Sequence, residues 1–186
     1  MEPTLKEKKI LLETARHSIR SIFTKEKPTE PDFKEHPLFN SHCGAFVTLT
    51  ENGILRGCIG YIISDIPLFQ TIREAAVHAA LNDPRFLPVK KNEIDNLSIE
   101  ISILSEPFAL NNYDEIEIGK HGLILEESGR RGLLLPQVPI EHKMNRDQFL
   151  DALCQKAGFN NNYWKTKQLN LNAFTAAVFN EKDIST

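Results

Sequence analysis

Apolar residues recur at helical steps near the start of the chain. Over residues 4–23, Leu5, Leu12, Ala15, Ile19 and Ile22 form one stripe with Glu13, Arg16 and Arg20 between them, which predicts a helix docked by one face. The acids interleaved with the bases favour packing on a domain over lying on a membrane. Lys25 to His42 contains Pro28, Pro31 and Pro37 with little periodicity and reads as an extended connector over the surface. Ala45 to Thr50, the turn Glu51-Asn52-Gly53 and the run from Ile54 to Ile63 then form a β-hairpin, with Asn-Gly supplying the positive φ of a tight turn. Asp65 can cap a following helix through Leu68, Phe69, Ile72, Ala75, Ala76, Ala79 and Ala80, whose first turn tolerates Pro67. Asn82-Asp83-Pro84 stops it. Leu97, Ile99, Ile101 and Ile103 alternate with polar residues as a half-buried strand.

The second half repeats this ββαβ order in pattern, without identity. Leu123 to Leu125 and Leu133 to Leu135 flank a turn with Gly129, a helix spans about 145 to 157, and a strand runs from Leu169 to Phe179. Asn145 and Gln148 stand at capping-box positions, Phe149, Leu150, Leu153 and Cys154 make the apolar face, and Gly158 closes the helix. The expected fold class is α+β: a largely antiparallel sheet built from two ββαβ-like units with helices packed on it, plus an N-terminal helix. Residues 1–186 are expected to form a single domain, with a helix and connector over 1–42 and units over 43–106 and 107–181.

Charge narrows the function classes. The net charge is −3, and between Glu93 and Glu127 nine acids face one base, Lys120. That mid-section should repel phosphate backbones, so nucleic-acid binding is disfavoured, although Arg20, Lys25 and Lys27 leave a small basic end. Three cysteines, Cys43, Cys58 and Cys154, include no C-x-x-C pair, which fits a reduced, cytoplasmic setting and no zinc ribbon. No run approaches the ~18 apolar residues of a membrane span, and no signal peptide or anchor is read.

The candidate chemistry concentrates in Leu55-Arg56-Gly57-Cys58-Ile59-Gly60 on the returning strand of the hairpin. Arg56 offers a planar fork for carboxylate or phosphate, Cys58 a nucleophile, and Gly57 and Gly60 close backbone approach. Arg56 and Cys58 share a face of a regular strand, whereas a bulge at Gly57 would separate them. If buried, Arg56 requires a carboxylate such as Asp83, Glu100 or Glu181. His42 and His78 are the candidate bases, neither fixed beside Cys58 by spacing, and Asp83 with Arg85 either binds a ligand or locks its own turn. The ligand-binding set is therefore Arg56, Gly57, Ile59, Gly60, Asp83 and Arg85, and the catalytic set is Cys58, His42 and His78. Gly119-Lys120-His121-Gly122 could cradle an anion through its backbone N–H groups and Lys120, but alone it reads rather as a plain turn, and Cys154 reads as a core thiol. Ligand-spaced His, Cys or carboxylate clusters are missing, so neither a metal nor another cofactor is expected.

The hexapeptide resembles the signature of the AMMECR-type domain family, which appears in prokaryotes as protein A of the AmmeMemoRadiSam system. Further matches follow in the same order: Phe46-Val47-Thr48-Leu49 ahead of it, then Asp83-Pro84-Arg85-Phe86, Leu135-Pro136-Gln137-Val138, Lys156-Ala157-Gly158, Trp164, and Phe179 with Glu181. The resemblance covers the chain from about Ala45 to Glu181. It implies no established activity, but does imply association with a Memo-type protein and a radical S-adenosylmethionine enzyme. Two readings stay open: a ligand- or partner-binding module centred on the hexapeptide, and a cysteine-dependent enzyme using Cys58 on a small anionic substrate.

Overall fold

The computed structural model describes residues 2–24 and 30–184; Lys25, Lys27 and Pro28 lie outside them. Helix α1 (Leu5–Ser21) opens on a reciprocal capping box between Thr4 and Glu7. The connector is not wholly superficial, because Pro37–Asn40 form a 3₁₀ turn that buries Leu38 and Phe39. Strands β1 (Ala45–Glu51) and β2 (Ile54–Tyr61) form the expected hairpin, with Asn52 and Gly53 both at positive φ. Helix α2 (Leu68–Leu81) follows, with Pro67 at its N-cap and no side-chain cap from Asp65. Strand β3 (Leu97–Leu104) then returns antiparallel to β1.

The second ββαβ series comprises β5 (Gly122–Glu127), β6 (Arg130–Leu134), the short α3 (Val138–Glu141), α4 (Arg146–Lys156), the short α5 (Tyr163–Thr166) and β7 (Leu171–Phe174), preceded by the two-residue β4 (Phe108–Ala109). Asn145 and Gln148 form the α4 capping box. The stretch read as one strand from Leu169 is two. At Thr175 the backbone leaves the ladder and exchanges bonds with Ser105 (Thr175 N to Ser105 Oγ, 3.0 Å; Ser105 N to Thr175 O, 2.9 Å), and β8 (Ala176–Asn180) pairs elsewhere.

The fold is α+β, as expected, with its strands divided between two sheets, ordered β2-β1-β3-β8 and β6-β5-β7-β4. In each, the first strand of a hairpin sits between its partner and the strand that follows the helix. Two compact units result: one holds the chain up to Leu104 with the stretch from Ala177 on, the other spans Ser105–Ala176.

In the first unit α1 and α2 cover one face of the sheet. Leu12, Ala15 and Ile19 of α1 and Ile72, Ala75, Ala76 and Ala79 of α2 pack on Val47, Leu49, Ile99 and Ile101. Each large aliphatic side chain buried there contributes about 1.5–3 kcal/mol. The small alanines bring α2 close enough that a Cβ on Gly57 would stand 2.1 Å from the Ala79 carbonyl oxygen. In the second unit Phe149, Leu150, Leu153 and Cys154 of α4 pack on Leu123, Leu125, Leu171 and Ala173. Burial raises the Cys154 thiol pKa, as suits a core residue.

Candidate functional site

Strand β2 is the outermost of its sheet, so its free side carries backbone groups that need partners from beyond the ladder. The segment after α2 supplies them. The Asp83 carboxylate accepts the Cys58 N–H at 2.8 Å, and Arg85 reaches the Cys58 carbonyl oxygen with Nη2 at 3.4 Å. Arg85 also grips Asp83 through Nε and Nη2, at 2.9 and 2.7 Å. Asp83 is buried while half of the Arg85 side chain stays in solvent. The Arg85 guanidinium, helped by the N–H groups of Cys58 and Arg85, outweighs burial and holds the Asp83 carboxyl well below the usual carboxylate range.

Arg56 closes the same seam further along. The β1–β2 register runs Thr48 to Cys58 and Leu49 to Gly57, then Thr50 to Leu55, so Arg56 is the extra residue of a bulge. The bulge stands one position before Gly57. Released from the ladder, Arg56 pairs with Glu93 (Nε to Oε1, 2.9 Å; Nη2 to Oε2, 3.3 Å) and donates to the carbonyls of Leu87 at 2.8 Å and Pro88 at 3.4 Å. The Arg56 guanidinium, assisted by the Lys90 N–H, lowers the Glu93 pKa against the effect of burial. The carboxylate that serves Arg56 is thus Glu93, in place of Asp83, Glu100 or Glu181, and the fork is spent within the chain.

The other sequence candidates fall as follows. Gly57 is buried against Ala79, and the space over Gly60 is taken by the Phe46 ring, 2.5 Å from where a Cβ would stand. Both glycines therefore serve packing here, and Ile59 packs against the helix-covered core. Cys58 points to the opposite face, half-buried, where Thr48 Oγ1 donates to its Sγ at 3.3 Å. His78 lies on α2 with Nδ1 3.0 Å from Asn82 Oδ1, and His42 is exposed before β1. Neither histidine is among the groups bonded to Cys58. The seam brings together Arg56, Cys58, Asp83 and Arg85, and leaves His42 and His78 aside.

Three large apolar side chains near the seam are exposed. Ile54 and Leu55, at the start of β2, are 73% and 37% exposed, and Leu87, whose carbonyl Arg56 holds, is 79% exposed. Among the described residues, no group of His, Cys, Asp and Glu is placed to hold a metal ion, and no helix is long and apolar enough to cross a membrane.

A protein-family model described as AMMECR1 matches residues 12–179. The chain belongs to the AMMECR1 family. Protein Mbar_A1807 of Methanosarcina barkeri is 41% identical over 177 residues, covering 91% of this chain and 87% of that protein. Protein Ta0236 of Thermoplasma acidophilum is 40% identical over 176 residues, covering 91% and 84%. The crystal structure of the uncharacterized protein PH0010 from Pyrococcus horikoshii superposes with a TM-score of 0.83 at 36% identity, covering 92% of this chain and 90% of that one. For this AMMECR1-family chain, sequence reasoning missed Glu93, Thr48 and Leu87. Thr48 was within reach of hairpin pairing, but only with the bulge placed correctly. Glu93 is 37 positions from Arg56, and no spacing rule joins them.

Proposed function

We propose that this AMMECR1-family protein is a cytoplasmic binding module centred on the Leu55 to Gly60 strand, a single AMMECR-type domain acting as a component of a larger system. The observation that carries this reading is the exposure of three large apolar side chains, Ile54, Leu55 and Leu87, on strand β2 and on the loop after α2, next to a seam whose charged residues are paired with one another. Large apolar side chains on a soluble surface mark contact sites when they cluster. Bonds from Arg56 and Asp83 fix the backbone beneath them, which lowers the ordering cost of association. The family resemblance supplies the partner class: a Memo-type protein or a radical S-adenosylmethionine enzyme, which would carry the redox chemistry.

A second reading, a cysteine-dependent enzyme acting on a small anionic substrate, draws on one observation. Thr48 donates to the Cys58 sulfur and Arg85 lies against the Cys58 carbonyl, so a thiolate there would have a donor and a nearby cation. It needs a proton acceptor, and the groups bonded to Cys58 are an alcohol donor, a carboxylate already gripped by arginine, and that arginine.

Titration calorimetry against the Memo-type protein of the same genome tests the binding reading. Leu87→Asp and Ile54→Asp should each weaken association by about tenfold or more, while Cys58→Ser leaves it within about twofold. Unchanged affinity in both aspartate variants overturns the docking site, and loss on Cys58→Ser alone favours the thiol.

A further inference from the structure

The segment from Asp83 to Glu93 sorts its charges by depth. Its two acids are turned inward: the Asp83 side chain is 2% exposed and that of Glu93 19%, each spent on a guanidinium and on backbone N–H groups. Its three bases are turned outward. Arg85 keeps 55% of its side chain in solvent while it holds Asp83, and Lys90 and Lys91 are exposed, with neither ammonium within ion-pair distance of a carboxylate among the described residues. The segment is nearly neutral by residue count, yet what an approaching molecule meets there is positive.

Leu87 stands among these bases in the chain and is 79% exposed. The backbone around it is fixed. Phe86 N donates to the Asp83 carbonyl at 3.1 Å, Arg56 Nη1 to the Leu87 carbonyl at 2.8 Å, Val89 N to the Ala80 carbonyl at 2.8 Å, and Lys90 N to Glu93 Oε2 at 2.7 Å. Arg85 is two residues from Leu87 and Lys90 three, so at about 3.6 Å per residue neither Cα is more than about 11 Å from that of Leu87. A preformed loop therefore offers one protruding apolar side chain with a cation on either side of it, at a low ordering cost for whatever binds.

We propose that this loop docks an acidic segment of a partner protein, in which a large apolar residue packs on Leu87 and Asp or Glu on both sides of it reach Arg85 and the two lysines. The proposal rests on the docking reading and adds the partner's chemistry to it. The ground for it is charge complementarity about an apolar centre. An extended polyanion fits less well, because the net charge of −3 and the nine acids against one base from Glu93 to Glu127 repel a nucleic acid or an anionic bilayer, whereas a short segment meets only the charges within a Debye length of about 10 Å. Glu51 lies opposite Ile54 across the hairpin, so the acidic flanks run along the loop and not over the hairpin end.

The test is selection of binders to the full chain from a phage-displayed library of random dodecapeptides, followed by calorimetry of the selected peptides made synthetically. They should carry Asp or Glu on both sides of a large apolar residue. Lys90→Gln combined with Lys91→Glu, which leaves the Lys90 N–H on Glu93, should weaken them by about tenfold or more, as should Leu87→Asp, while Lys34→Glu on the connector stays within about twofold. Raising the ionic strength from about 0.05 M to about 0.5 M should weaken them by about tenfold as well. Selected peptides without acidic flanks, or acidic ones indifferent to the lysine variant, overturn the proposal, and if Leu87→Asp still weakens them the docking reading stands without it. If no peptide is selected, or none is weakened by Leu87→Asp, the docking reading falls and the proposal with it. Binding of phosphatidylserine and phosphatidylcholine vesicles that the lysine variant abolishes overturns it in favour of a membrane surface.

Discussion

Asp83 shows how a residue chosen from sequence as a ligand contact can be committed to the fold. Its carboxylate accepts from the backbone of Cys58 and Arg85 and from two nitrogens of the Arg85 guanidinium. Asp83→Asn keeps the shape and removes the charge, and should cost about 2 kcal/mol, since hydrogen bonds to a buried charge are worth more than neutral ones and half of Arg85 is solvated. The pH dependence has a definite sign. Because the folded carboxyl titrates below its ordinary value of 3.8, its contribution is present in full above about pH 4 and is lost as pH falls below that. Urea midpoints of the two proteins should therefore converge under acid, whereas a gap independent of pH would contradict the assignment. The chemistry available to Arg56 and Asp83 was legible in the sequence. Their partners were not, because Glu93 and the Cys58 amide are brought to them by the path of a loop, and loop paths leave no periodicity to read.

At the scale of elements, the hairpin, α2 and the capping box of α4 were written in local pattern and in Asn-Gly chemistry. The bulge was not. A single extra residue at Arg56 shifts the register so that Cys58 pairs with Thr48 and Gly57 with Leu49. Gly57 thereby turns toward α2, where it meets Ala79, and a helix carbonyl is reason enough for glycine at that position. Gly57→Ala should cost roughly 2–3 kcal/mol by overpacking, read as a fall in thermal midpoint, because the obstructing atom is backbone and α2 must move to admit the methyl. A stability change within about 0.5 kcal/mol would show that α2 yields freely and that the close approach is not a constraint.

At the scale of the molecule, the repeated ββαβ order was legible because each repeat carries its own hydrophobic alternation and helix period. The division into two sheets was hidden, because it rests on the one-residue break at Thr175 and on β4, whose two residues fall below any pattern length. The first unit closes only with the end of the chain: β8 lies beside β3, and Glu181 receives Arg16 from α1. Its free edge at β2 is covered instead by charged side chains from the loop after α2. That arrangement is the basis of the proposed function, since it turns an edge strand into a fixed corner that displays Ile54, Leu55 and Leu87.

Amide hydrogen exchange at Cys58 measures this corner most directly. The N–H faces away from β1 and has Asp83 as its acceptor, so its protection should be close to that of Val47 in the buried strand, and should fall to the level of an exposed amide in Asp83→Ala, which removes the acceptor, while Val47 is unaffected. A Cys58 amide that exchanges as fast as the exposed turn at Asn52 in the native protein would mean that the seam is open in solution, and the corner would lose its claim to be a preformed docking surface.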